Sequence, residues 1–254
     1  MEHTQPQEIE ISKEEMGFQL EKLAESLSIT GIELTEKVKQ AFDIYTRELL
    51  KWNTVINLTA ITELSEVMTK HFYDSIAPLN ELEIPNGATF IDIGTGAGFP
   101  GLPIKLLRPD IKLTLFDSLK KRVDFLKNTC EALQLKDITF IHARAEDAAK
   151  LKQYREKYDF TAARAVASLN VLCEYCLPFV KKGGIFIAYK GQKGTNELKQ
   201  AENAIKLLGG EAFRTIDYKL PDEEGERQII LIKKILQTSP EYPRKTQIIS
   251  KNPL

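Results

Sequence analysis

The sequence predicts an α/β protein: a seven-stranded, mostly parallel sheet wrapped by helices on both faces, with a helical cap on its N-terminal side. Three observations lead there. From Thr89 onward, short apolar runs alternate with amphipathic segments, the pattern a helix-covered parallel sheet leaves in a chain. The first of those runs passes straight into a glycine turn and a helix, TFIDIGTGAGFPG from Thr89 to Gly101. Before it, apolar residues recur at helical rather than strand spacing.

Taken in order, residues 1–16 are polar and acidic, with Pro6, and read as a flexible N-terminus. Residues 17–86 read as a helical cap packed on the core. Its clearest helix carries Val38, Phe42, Tyr45, Leu49, Trp52 and Ile56 at steps of three and four, which places them on one face. A further helix spans Glu63–Ala77, and Pro78, Pro85 and Gly87 mark the passage into the main domain, residues 87–236. There the expected strands are Thr89–Ile93, Lys112–Phe116, Ile138–Ile141, Asp159–Ala163, Ile185–Tyr189, Ala212–Tyr218 and Gln228–Ile232. Helices are expected at Gly101–Leu107, Leu119–Leu133, Leu169–Val180 and Asn196–Leu208. No helix fits between the last two strands, so they are expected to pair antiparallel through Pro221–Glu226. Residues 237–254 form a basic C-terminal tail with Pro240, Pro243 and Pro253.

Composition narrows the function classes. A chain of 254 residues with 43% hydrophobic and 28% charged residues is expected to be a soluble globular protein. A net charge of −1 argues against bulk coating of nucleic acid, so any RNA contact has to use a local patch. The three cysteines, Cys130, Cys173 and Cys176, make neither a disulfide framework nor a zinc site and read as buried thiols; no metal is expected. With no signal peptide or membrane-length apolar span, the expected setting is the cytoplasm, without membrane association.

The glycine turn is where a polar small molecule can bind, because free backbone N–H groups meet a helix N-terminus there. Gly96, Gly98 and Gly101 satisfy the dinucleotide spacing G-x-G-x-x-G. Asp92 at the strand end argues otherwise: a carboxylate opposes a pyrophosphate and suits a cation such as the sulfonium S-adenosylmethionine. The second strand ends in Asp117, about 20 residues on, where a carboxylate accepts hydrogen bonds from a ribose. A helix cap by Asp117 or Ser118 is the structural alternative. Ala145 and Glu146 follow the third strand, at a position to read an adenine amine. Arg164 and Lys190 end the fourth and fifth strands and, with Arg144, converge on the same sheet edge. Lys121 and Arg122 open a helix, where cations oppose the helix dipole, which suggests an external anion. In the tail, Tyr242, Arg244 and Lys245 put an aromatic face beside two cations, suited to single-stranded RNA; a disordered tail is the alternative.

The motifs DIGTGAGFPGLPIK, DSLKKR, ARAED, ARAVASL, YKG and YPRK, together with KHFYDS at Lys70–Ser75, resemble the bacterial 16S rRNA guanine-N7 methyltransferase G family, also called glucose-inhibited division protein B. The likeness covers nearly all the chain beyond the first thirty or so residues. It implies a Rossmann-like class I methyltransferase fold, S-adenosylmethionine as cofactor and methylation of one guanine N7 in the 530 loop of 16S rRNA. By the same resemblance the cofactor contacts fall on Gly94, Phe99, Asp117, Ser118, Leu119, Ala145, Glu146 and Arg164. Asn57, His71, Asp74, Lys121, Arg122 and Lys190 fall on the rRNA side. Arg164, Lys190 and Asn57 are then expected to position the reactants, with no general base, since guanine N7 is already nucleophilic. The partner implied is 16S rRNA in the 30S subunit, and a monomer is expected. Two rivals are an NAD-dependent oxidoreductase, on the glycine spacing, and a non-catalytic rRNA-binding assembly factor.

Overall fold

The computed structural model describes residues 6–223 and 225–254. The sheet has the order β3-β2-β1-β4-β5-β7-β6, with β1 (Thr89–Ile93), β2 (Lys112–Asp117), β3 (Ile138–His142), β4 (Tyr158–Arg164), β5 (Val180–Gly191), β6 (Gly210–Lys219) and β7 (Glu226–Lys234). Neighbours among β1 to β5 are parallel, and β7 runs antiparallel to both β5 and β6. The order reverses between β1 and β4, which opens a crevice above their carboxyl ends.

Each expected strand is present. β1 is central and buried on both faces: Phe90 packs in one core layer, Ile91 and Ile93 in the other. β5 begins at Val180 rather than Ile185, and the helix before it stops at Cys176 rather than Val180. Pro178 is the reason: its ring cannot continue an α-helix, and Leu177–Phe179 forms a 3-10 turn that feeds the strand.

The cap is built from α1 (Lys13–Ser28), α2 (Glu36–Asn53) and an irregular α3, residues 64–76, whose middle, Val67–Tyr73, is a π-helix. The expectation that residues 1–16 are flexible needs correcting. Residues 1–5 lie outside the described residues. Ser12 caps α1 through the Glu15 N–H, and Met16 is buried in the first turns of that helix. Just before them, the Ile11 carbonyl accepts from Arg47 of α2. Phe42 of α2 stacks on Phe72 of α3 at 4.5 Å, and the Tyr45 hydroxyl donates to the Ala97 carbonyl of the glycine turn at 2.5 Å. Tyr189 of β5 donates to Ser75, and Tyr218 of β6 to Asp74. The cap is therefore fastened to the sheet at several points.

The expected helices behind the sheet become α4 (Gly101–Leu107), α5 (Lys120–Ala132), α6 (Leu169–Cys176) and α7 (Gly194–Leu207). The tail also departs from expectation. Arg155 donates to the carbonyls of Thr238, Ser239 and Tyr242, and Ile249, in the short α8 (Thr246–Lys251), is fully buried. Arg244 grips Glu174 of α6 with its backbone N–H and guanidinium, at 2.7 Å for both the N–H and one terminal nitrogen. Glu174 is completely buried, so this ion pair replaces the water its carboxylate has lost. Arg244→Ala is expected to cost about 3–5 kcal/mol by stranding that charge. A urea midpoint unchanged from the parent's would remove the pair from the fold's support.

Candidate active site

The site is assembled from the bottom of the glycine turn. Asp92, at the end of β1, is fully buried. Its Oδ2 accepts from the Thr95 hydroxyl at 2.6 Å and from the Gly101 N–H at 2.9 Å, while Oδ1 has no partner. Burial raises its pKa to about 6 against the pull of those two hydrogen bonds. A Cβ on Gly101 would sit 2.9 Å from Asp92 Oδ2, so only glycine lets the turn close over the carboxylate. The Gly101 N–H is thus spent on Asp92, and Gly101 serves the close packing of helix on strand that the third glycine of the dinucleotide spacing also serves. Asp92 acts under the turn and does not line the pocket.

Asp117 ties the second strand to the same turn. Its Oδ2 accepts from Gly96 N–H at 3.0 Å and its Oδ1 from Leu119 N–H at 2.8 Å. It therefore makes the local turn that starts α5 while standing beside the glycines, as the structural alternative for this residue expects. Above these groups lies a cavity of about 170 Å³ lined by Gly94, Ser118, Ala145, Glu146, Val166 and Tyr175, among others. Gly94 has φ +68, and a Cβ there would come 2.7 Å from Val166 Cγ2. The cavity has one carboxylate, Glu146, in its lining, an open glycine backbone at Gly94, and in the adjoining strand ends the buried carboxylates Asp92, with one oxygen unpartnered, and Asp117. That donor set fits a cationic nucleoside better than a phosphate ester. Arg144 and Thr246 complete the lining. Val166, Tyr175 and Thr246 escaped the sequence analysis; Val166 lies inside the ARAVASL motif, but nothing in the pattern marks the other two.

A second, larger cavity of about 480 Å³ opens beside the first. Lys70, His71, Asp74, Arg164, Lys190, Glu197 and Arg227 line it. The Arg164 guanidinium, at the tip of β4, bonds Asp74 Oδ2 at 2.9 Å and the Lys70 carbonyl at 3.2 Å, and its centre lies 5.1 Å from the centroid of the Phe99 ring. The His71 ring stacks on Phe99 with centroids 4.4 Å apart, its Nδ1 is 3.4 Å from the Arg164 guanidinium, and its Nε2 is 2.8 Å from the Thr59 hydroxyl. Burial first, and the neighbouring Arg164 charge second, lower the His71 pKa to about 3. Asp74 is fully engaged: its Oδ1 accepts from Tyr218 at 2.8 Å and faces Arg227 Nε at 3.4 Å. Lys190 donates to the Ala167 carbonyl at 2.7 Å and pairs with Glu197 at 2.8 Å.

The two cavities share a wall. Ala165 faces the larger one and Val166 the smaller, and Ala165 holds a left-handed φ of +56. Such a conformation costs a non-glycine residue of order 1–3 kcal/mol and is characteristic of functional sites.

Several expected positions are corrected by this geometry. Asn57 is exposed on the loop after α2 and does not line the cleft. The loop is closed instead by Asn53, whose side chain accepts from Leu58 and Thr59 N–H and donates to the Thr59 carbonyl. Phe99 is buried between Tyr45, Phe72 and His71, where it supports the cleft rather than opening into the smaller pocket. Leu119 is half exposed beside that pocket and contributes its backbone. Arg122 turns back to Asp117 at 3.6 Å with its Nε buried, so part of its charge is met within the fold. Arg244 is committed to Glu174. Lys121 and Lys245 stay exposed. Glu197, Tyr189 and Arg227 were missed, since each is an ordinary residue of its element until the fold brings it to the cleft.

Comparison with known proteins agrees with this arrangement. A family model described as rRNA small subunit methyltransferase G matches residues 38–229. The ribosomal RNA small subunit methyltransferase G of Staphylococcus saprophyticus is 50% identical over 232 residues, covering 91% of this chain and 97% of the relative. That of Staphylococcus aureus strain JH9 is 49% identical over 235 residues, covering 92% and 98%. Among solved structures, an O-methyltransferase from Bacillus cereus in complex with SAH superposes with a TM-score of 0.54 at 15% identity, over 84% of this chain and 98% of its own, a likeness of fold.

The low pKa of His71 has a consequence for stability. The unfolded chain takes up a proton near pH 6.5 that the folded ring refuses until about pH 3, so this residue's contribution is lost as pH falls through that window. In an NMR titration the His71 ring is expected to stay neutral down to about pH 5. An inflection near the ordinary histidine value contradicts the burial argument.

Proposed function

The chain belongs to the rRNA small subunit methyltransferase G family, and from that premise we propose that it methylates N7 of one guanine in the 530 loop of 16S rRNA, using S-adenosylmethionine and acting as a monomer on the 30S subunit in the cytoplasm. Among the described residues no helix is long and apolar enough to cross a membrane.

The observation that carries the proposal is the state of the ionisable groups in the cleft. Its imidazole is held in the neutral, weakly basic form, and its carboxylates are committed to cations: Asp74 to Arg164 and Arg227, Glu197 to Lys190. Among the described cleft residues, the imidazole is a poor base and the Asp74 carboxylate has both oxygens engaged. A reaction whose nucleophile needs no deprotonation suits such a site, and guanine N7 carries its lone pair in the plane of a neutral base.

Gly94, Ser118 and Glu146 would hold the nucleoside end of the cofactor, with Asp117 beside the ribose. When bound, S-adenosylmethionine supplies an electrophilic methyl carbon that N7 attacks in line, the carbon–sulfur bond breaking to leave a neutral thioether. The protein's part is placement at near-attack distance, about 3–3.5 Å between reacting atoms. The methylated base becomes cationic. Arg164 is kept from opposing that charge because Asp74 draws its guanidinium aside and Phe99 covers one face. Exposed Lys121 and Lys245 remain available for rRNA phosphates.

The direct test incubates the protein and S-adenosylmethionine with 30S subunits from cells lacking it, then maps N7-methylguanosine in 16S rRNA. One new modified guanine in the 530 loop is expected; none there refutes the assignment. Gly94→Ala is expected to weaken S-adenosylmethionine at least about tenfold in calorimetry while circular dichroism stays native, since it adds a Cβ at φ +68 against Val166. Parent-like affinity removes the glycine turn from the binding site.

A further inference from the structure

A cleft that receives one guanine has to tell it from adenine, which also offers an N7. The two bases differ on their Watson–Crick edge. Guanine shows an acceptor, O6, then two donors, N1–H and the N2 amino group; adenine shows a donor and then an acceptor. The protein surface complementary to guanine is one donor beside two acceptors.

The cleft wall at the tip of β5 offers one donor and, beside it, one free carboxylate oxygen whose two lone pairs can accept both N–H groups. β4 lies between β1 and β5, so Lys190 at the tip of β5 stands across the cleft from Gly94. Its ammonium spends one N–H on the Ala167 carbonyl at 2.7 Å and one on Glu197 Oε2 at 2.8 Å. An ammonium has three donors, and the third remains for a guest. Glu197 sits in the first turn of α7 and accepts the Leu169 N–H on Oε2 at 2.7 Å. Its ion pair and this hydrogen bond both use Oε2, and Oε1 is the oxygen they leave. The base of α7 is held against β7: a Cβ on Gly194 has no room beside Gln228 Oε1, and Thr195 bonds the same side chain. Glu197 is therefore presented by a fixed element. Asp74, the other carboxylate in the cleft, has its two oxygens taken by Tyr218, Arg227 and Arg164.

We propose that the Lys190–Glu197 pair identifies the target base as guanine, the ammonium donating to O6 and the carboxylate accepting from N1–H and the N2 amino group. This rests on the N7-methylation proposed above. With the Watson–Crick edge on this wall, the adjoining edge of the purine, which carries N7 next to O6, is left free of the pair. Adenine in the same pose sets its N6 amino group against the ammonium and its N1 lone pair against the carboxylate, a repulsive match at both points.

The test uses 30S subunits reconstituted with guanosine or inosine at the position the parent protein methylates. Inosine keeps N7, O6 and N1–H and lacks only the N2 amino group. The parent protein is expected to favour guanosine by about tenfold or more in kcat/KM, the worth of one hydrogen bond to a charged group. Glu197→Gln is expected to bring that ratio close to one and to lower the guanosine rate, with S-adenosylmethionine affinity unchanged in calorimetry. Lys190→Met is expected to slow both substrates alike and keep the ratio, because both retain O6. Equal use of the two substrates by the parent protein overturns the proposal even if the variants do not fold. So does a parent-like ratio in a folded Glu197→Gln. Absence of N7 methylation by the parent protein is a separate result, which overturns the enzymatic assignment and this inference with it.

Discussion

The buried ion pair between Arg164 and Asp74 is the contact on which the rest of the site depends. Both side chains are about nine-tenths covered, at 11% and 8% exposure. Charges so far from water persist only when each is matched. Arg164 is matched by a carboxylate and by carbonyls of the π-helical turn, and Asp74 by two arginines and a tyrosine. Since Arg164 ends β4 and Asp74 lies in the cap, the pair sets the distance between sheet edge and cap, and so the width of the cleft. The π-helix has a role in this. It widens the helix at Lys70 and His71, where carbonyls turn out to meet the guanidinium.

The glycine turn obeys a parallel rule with a different sign. Asp92 and Asp117 stand on neighbouring strands and each accepts backbone N–H groups from the loop above. The loop is thereby pulled down onto the strand tips, and its glycines leave an open backbone surface. The cap reinforces this from the far side, through Tyr45 bonding the Ala97 carbonyl and stacking on Phe99. Phe99 thus connects the two cavities mechanically: it follows the glycine turn in sequence and carries both His71 and Arg164 against its ring.

How much of this was legible in the sequence depends on how far apart the interacting residues lie. The strands were legible because each is a local apolar run bounded by turn residues, and the antiparallel end because Pro221 and Gly225 leave no room for a crossover helix. Gly94, Ala145 and Glu146 were legible because strand tips after a glycine turn converge by topology, whereas Ser118 was marked on the cofactor side only by the family resemblance. The misplacements share one cause. Arg122 and Arg244 look like solvent-facing cations beside other cations, yet each has a carboxylate partner that only the fold reveals, and Glu174 lies 70 residues from Arg244. Charge signs can be read in one dimension; pairing cannot. The same limit hid Glu197 and Arg227, which become cleft residues only when α7 and β7 are set beside β5.

The wall between the two cavities is fixed from both sides. Ala165 and Val166 sit back to back on one strained turn, one side chain toward each cavity. Arg164, immediately before them, is locked to Asp74, and Ala167, immediately after, holds Lys190 through its carbonyl. The strained turn is thus anchored at both ends, and its cost is borne by the contacts that flank it. A rigid partition of this kind keeps two guests apart except where their reactive edges meet. It also keeps the cations of the larger cavity on fixed partners, so that positive charge formed there meets carboxylates already in position. The ionisable residues described in the cleft hold one another in place.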